Sequence, residues 1–189
     1  MFALSDLLDR ISDRWVPLAA AVVFALFVAF VLPAHTTVGS GDGAAIGSPD
    51  LSVWYSGDDL YAMADAYGAD GRADYVRARL TFDIVWPFVY VAFLSTALSW
   101  VHRRRLGGAP LWRRANLLPV AGGVFDLLEN AGASLVMLRY PDRTPVVDSL
   151  TPLMTTAKWV TLAVCFLLLV FGLVSILFRW TRRWGRVSV

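Results

Sequence analysis

The sequence predicts an all-α integral membrane bundle of four transmembrane helices, and three observations carry that prediction. Of the 189 residues 57 % are hydrophobic and 17 % charged, too apolar for an ordinary globular surface. Four apolar stretches, Trp15 to Pro33, Leu80 to Val101, Ala115 to Leu138 and Leu150 to Phe178, supply the roughly 20 residues needed to cross about 30 Å of hydrocarbon. Arginines gather where the second and fourth stretches end, as they do at the cytoplasmic edge of membrane helices. Residues 1–189 therefore read as one transmembrane domain.

Taken in order, Leu4, Leu7, Leu8, Ile11 and Trp15 recur at helical spacing with Ser5 as the cap. This piece reads as a lead-in turn or as a short helix lying flat on the membrane. Asp6, Asp9 and Asp13 against Arg10 and Arg14 give the wrong charge for the start of a signal peptide, so the first stretch reads as a retained helix. The loop 34–79 opens on a Gly-rich stretch, Gly39 to Gly47, expected to be extended. Ser56 or Asp58 then caps a short helix with Leu60, Met63, Ala64 and Tyr67 on one face, ended by Gly68. A second helix begins near Gly71 and runs through Arg72, Tyr75 and Arg79 into the second span. The loop is thus a partly helical cap over one mouth of the bundle.

Orientation follows from charge. Arg103, Arg104, Arg105, Arg113 and Arg114 follow the second span, and Arg179, Arg182, Arg183 and Arg186 follow the fourth; short basic loops stay in the cytoplasm. Both termini are expected inside and the cap outside, in a multi-pass protein of the cell membrane. The cap agrees, since Asp42, Asp50, Asp58, Asp59, Asp65, Asp70 and Asp74 outnumber Arg72, Arg77 and Arg79 there.

An ionisable residue at the centre of a span costs at least about 2.5 to 3.5 kcal/mol and needs a partner. Asp83 lies in the second span, Asp126 and Glu129 in the third, and Lys158, the only lysine, in the fourth. Asp126, Glu129 and Asn130 share a helix face that Gly122 and Ala133 continue with small residues able to admit a neighbour. Thr151, Thr155 and Lys158 form a second polar stripe. Pro87 cannot donate to the carbonyl of Asp83, and Tyr90 falls on the same face, so one turn offers a carboxylate, a freed carbonyl and a hydroxyl. At 1.5 Å per residue Lys158 lies roughly 10 Å deep and Glu129 roughly 12 to 14 Å, which makes Glu129 the first choice of partner for the lysine. Asp83, Tyr90, Asp126, Glu129, Asn130, Thr155 and Lys158 are the candidate ligand-binding residues, and Arg72, Tyr75, Arg77, Arg79 and Arg139 the candidate rim. The first span carries no ionisable or amide side chain from Val16 to Pro33 and is expected to stand apart from the site.

Several function classes drop out. A formal charge of +2 without a basic, aromatic-interleaved groove gives no sign of nucleic acid. Cys165 is the only cysteine, so no disulfide forms within the chain. His35 and His102 fall at opposite ends of their spans and cannot share a metal ion, and no zinc spacing exists. Asp83, Asp126 and Glu129 offer oxygens to a hard cation, but the Lys158 ammonium competes for them, so no metal and no cofactor is assigned. There is no phosphate loop, Gly-x-Ser-x-Gly elbow or dinucleotide fingerprint.

The run YAMADAYGADGRADYVRARLTFDIVWPFVY at Tyr61 to Tyr90, FDLLEN at Phe125 to Asn130 and KW at Lys158 and Trp159 together resemble a group of uncharacterised small bacterial membrane proteins with four transmembrane helices. The resemblance covers most of the chain after the Gly-rich stretch. It implies the four-span fold, points to Arg72, Tyr75, Asp83, Pro87, Asp126, Glu129, Asn130 and Lys158, and carries no activity. Three readings stay open. One is a buried polar site, open to the outer side, that binds or transports a small polar molecule, ion or lipid head group, with transport requiring a homo-oligomer. Another is an intramembrane enzyme using a buried carboxylate as general acid or base. The last is a subunit that stabilises a larger membrane complex. Against all three stands a plain ion-pair network that fixes helix register.

Overall fold

The computed structural model describes residues 2–35, 48–49, 52–105 and 114–184. The Gly-rich stretch Gly39 to Gly47, Arg113 and Arg186 lie outside the described residues. Among those described, every regular element is helical: α1 (Phe2–Ile11), α2 (Trp15–Leu26), a π-helical turn (Phe27–Val31), α3 (Leu32–His35), α4 (Gly57–Arg105), a 3-10 turn (Ala115–Leu117), α5 (Leu118–Arg139) and α6 (Pro145–Trp184). Three helices are long and apolar enough to cross a membrane, and a fourth span follows if α1 and the helix from Trp15 to Val31, bent by 90°, count together. α4 and α6 run from the cap end to the arginine end, and α5 runs back between them.

Local chemistry sets the boundaries. The Asp13 carboxylate accepts the backbone N–H groups of Trp15 at 2.8 Å and Val16 at 3.1 Å, closing the exposed start of α2. Those two bonds hold the Asp13 carboxyl below the usual carboxylate range. α2 then packs on α4 through aromatic rings: Phe24 stacks on Phe93 at 4.7 Å and on Trp86 at 5.7 Å, and Phe27 on Phe82 at 5.3 Å. Such offset stacks add about 0.5 to 1.5 kcal/mol beyond the area they bury.

At the start of α4, Ser56 and Asp59 form a reciprocal cap. Asp59 N–H donates to the Ser56 hydroxyl at 3.2 Å while Ser56 N–H donates to the Asp59 carboxylate at 2.8 Å. The arm 57–67 ends at Gly68, where φ is 64° and ψ −177°, a conformation that side-chain-bearing residues rarely adopt. The chain then continues as one helix from 69 to 105, in agreement with the sequence expectation of a break at Gly68.

Leu60, Met63 and Ala64 of the arm are buried with Tyr55, Tyr61, Tyr75, Val76, Ala133, Val136 and Met137. The arm is fastened to the turn between α5 and α6: Thr144 N–H donates to the Tyr61 hydroxyl at 2.7 Å, Tyr140 donates to Asp65 at 2.5 Å, and Arg143 pairs with Asp58 at 2.6 Å. Arg72 spans the Gly68 break by donating to the Ala64 carbonyl at 2.9 Å, with its guanidinium over the Tyr140 ring.

One correction concerns the first element. Ser5 does not cap α1, which already begins at Phe2. It is buried and donates to Asn116 Oδ1 at 2.9 Å. Asn116 Nδ2 in turn donates to Ser99 Oγ at 2.9 Å, the Ser5 carbonyl at 3.2 Å and Asp9 Oδ1 at 3.3 Å. A single buried amide therefore ties α1 and the turn before α5 to α4, and sets α1 across the arginine end of the bundle.

Candidate functional site

Three helices meet where the sequence places its buried charges. α5 turns Gly122, Asp126, Glu129, Asn130 and Ala133 into the interior. Its approach to α4 is close at Gly123, where an added Cβ would stand 2.8 Å from a Val91 methyl; any larger residue would push the two helices apart. That contact lies beside Pro87 and Tyr90, the turn in which proline frees a carbonyl. The freed group is used: Asn130 Nδ2 donates to the Asp83 carbonyl at 3.2 Å.

Lys158 arrives from α6. Its Nζ forms an ion pair with Glu129 Oε2 and stands 3.5 Å from Asp126 Oδ1. The Tyr90 hydroxyl donates to the other oxygen of Asp126 at 3.0 Å, and Asn130 Nδ2 lies 3.5 Å from Asp126 Oδ1. Asp126 is thus approached by groups from all three helices. Lys158 is 5 % exposed, Asp126 4 % and Glu129 0 %, so the charges meet in a buried place where Coulomb attraction is strong and an unpaired charge is expensive.

Asp83 sits one layer toward the cap, and its Oδ2 accepts from Arg79 Nη1 at 2.5 Å. Arg79 also lies over the buried Tyr75 ring at 4.5 Å. The rest of that layer comes from α6 and the strap, residues 52–56, before α4. Thr155 is fully buried, donates to the Thr151 carbonyl at 3.1 Å and shares a 2.9 Å hydrogen bond with Tyr55. Thr156 donates to the Val53 carbonyl at 3.0 Å, a second tie between strap and α6. Tyr55 and Tyr75 belong to the apolar cluster under the arm, so the charged group is covered at the cap end in this conformation.

Of the sequence candidates, Asp83, Tyr90, Asp126, Glu129, Asn130, Lys158, Thr155, Arg79 and Tyr75 are gathered along this interior. Arg72 is engaged with Ala64 and Tyr140 instead. Arg77 pairs with Asp74 with 76 % of its side-chain surface open, and Arg139 is exposed; neither is drawn in. Tyr55 and Gly123 were not singled out from the sequence. Nothing local marks Tyr55 as the partner of a threonine 100 residues away, whereas Gly123 beside Gly122 does offer a small-residue signal. Among the described residues no three His, Cys, Asp or Glu side chains form a group able to hold a metal ion. The α2 helix brings Phe24 to α4 and α6 but no polar group. No protein-family model, curated protein or solved structure matches the chain.

Two cations, Lys158 and Arg79, thus meet three acidic side chains, Asp83, Asp126 and Glu129, in this interior, and Asp126 accepts from Tyr90 and Asn130 as well.

Proposed function

We propose that the charged group between α4, α5 and α6 binds or passes a small polar molecule, an ion or a lipid head group, admitted beneath the cap. The observation that supports this reading is the meeting of Lys158 with two carboxylates, Asp126 and Glu129, at under one-tenth exposure, where a register-fixing pair needs one. Admission requires the Tyr55–Thr155 bond to break and the arm to swing about Gly68, exposing Arg79 and Tyr75 as the lining of the entry. Transport, as opposed to binding, needs an oligomer, because the sequence of one copy shows no inverted repeat. The hydrogen-bonded series Tyr90, Asp126, Lys158 also suits an intramembrane enzyme in which a carboxylate moves a proton and Lys158 stabilises negative charge. A subunit of a larger membrane complex would use the same aromatic cap as its contact.

The proposal includes a sidedness: multi-pass in the cell membrane, both termini in the cytoplasm, cap outside. In a Cys165→Ser background, Gly43→Cys is expected to react with an impermeant thiol reagent on intact cells and Gly107→Cys to stay unlabelled; labelling of Gly107→Cys alone reverses the orientation. In the same background Thr155→Cys is expected to label slowly as the cap opens. Complete protection of Thr155→Cys while Gly43→Cys labels fully would mean that the buried group does not open to the outside.

A further inference from the structure

The opposite end of the bundle carries an unrelated feature, independent of what the buried group does. An open cleft of about 320 Å³ is lined by Arg14, Trp100, Arg103 and Arg104. Arg14 stands in the link between α1 and α2, and the other three on the last turns of α4, so the cleft exists only because the α1–α2 corner packs against the end of α4. The Asn116 amide, bonded to Ser5, Asp9 and Ser99, fixes that corner.

The depth of the cleft follows from the corner. α1 lies at 90° to the helix that starts at Trp15 and leaves Leu4, Leu7 and Ile11 exposed at 43, 52 and 45 %. A short amphipathic helix set square to a span lies in the interfacial plane with its apolar side toward acyl chains. Half-buried Trp100 and exposed Trp15 occupy the same level, where indole rings concentrate in membrane proteins. The cleft is thus at head-group height.

Its charge is one-sided. The Arg104 guanidinium lies over the Trp100 ring at 4.6 Å and that of Arg14 over Trp15 at 5.0 Å. Asp13 is the carboxylate that feels Arg103 and Arg14, and its Oδ1 is already occupied by two backbone N–H groups. Asp9 is turned to Asn116. Among the described residues, three guanidiniums line the cleft, and the carboxylate that acts on Arg103 and Arg14 is the engaged Asp13. Planar guanidinium forks match phosphate oxygens in pairs, and basic pockets between spans at this level suit anionic head groups.

We propose that this cleft binds the phosphate of an anionic phospholipid, whose acyl chains run along the exposed apolar side of α2 at Leu18 and Val22. The test is native mass spectrometry of the full chain released from detergent, titrated with phosphatidylglycerol, with phosphatidylcholine, or with inorganic phosphate. Phosphatidylglycerol is expected to bind more tightly than phosphatidylcholine, and Arg103→Gln with Arg104→Gln to weaken it at least about tenfold. The control, Arg179→Gln with Arg182→Gln, removes equal charge from the end of α6 and is expected to leave that affinity unchanged. Should the α4 double variant fail to fold, Arg14→Gln alone is expected to weaken phosphatidylglycerol in the same direction. Equal loss in the control, or no preference over phosphatidylcholine, overturns the proposal. Inorganic phosphate binding as tightly as phosphatidylglycerol would assign the cleft to a soluble anion and overturn the lipid assignment.

Discussion

Two buried polar clusters hold this bundle together, and they are built differently. At the arginine end, Asn116 joins α1 and the turn before α5 to α4 with a neutral amide whose oxygen accepts from Ser5 and whose nitrogen donates to Ser5, Asp9 and Ser99. Between α4, α5 and α6, Lys158, Asp126, Glu129, Tyr90 and Asn130 join three helices through an ammonium set against two carboxylates. A neutral amide with satisfied partners is sufficient to fix helix positions, and it avoids the several kcal/mol that burying each ion costs. The chain itself shows the cheaper solution, and this contrast is what the proposed binding role of the charged cluster rests on.

The largest effect should come from unbalancing the charged cluster. Lys158→Met alone leaves Glu129 and Asp126 buried without their cation and is expected to cost about 3 to 5 kcal/mol, read as a large fall in the thermal midpoint in detergent. Asn116→Ala removes the amide hub of that cluster and is expected to cost about 1 to 3 kcal/mol, with α1 becoming sensitive to protease while the cap stays protected. If the two losses were equal, the contrast between the clusters would be void.

The cap offers smaller tests. Gly68→Ala meets no neighbouring atom within 4 Å, so its cost is purely that of the left-handed backbone, about 1 to 3 kcal/mol. It is expected to speed labelling of Thr155→Cys without altering the protection of α1. Smallest is the Ser56–Asp59 cap. The Ser56 N–H and hydroxyl hold the Asp59 carboxyl below its ordinary 3.8, so its contribution is present above pH 3.8 and fades as pH falls through the lower folded value. The stability difference between wild type and Asp59→Asn should therefore shrink in acid below pH 3.8.

Much of this was legible in the sequence because membrane chemistry is strict. Length, hydropathy and the cost of intramembrane charge locate the helices, the Gly68 break and the Lys158–Glu129 pairing, and Pro87 announces the carbonyl that Asn130 takes. Other features depend on distant packing. Ser5 looks like a cap from its neighbours, yet it is claimed by Asn116, 111 residues away. Tyr55 has no periodic companion, and its bond to Thr155 exists only because the strap folds back over α6. The contacts of the rim arginines were hidden for a related reason: charge alone does not say that Arg77 turns outward to Asp74 or that Arg72 closes the Gly68 break.

The central claim, that the charged cluster is a working site, is tested most directly by Lys158→Met combined with Glu129→Gln, which removes one positive and one negative charge together. Purified wild type and double variant are compared by thermal midpoint and by mass spectrometry of the small molecules and lipids that each releases on denaturation. The account predicts a near-normal midpoint for the double variant and the loss of a species that the wild type carries. A double variant that is equally stable and releases the same species as the wild type would contradict it, leaving the cluster a fastening like Asn116.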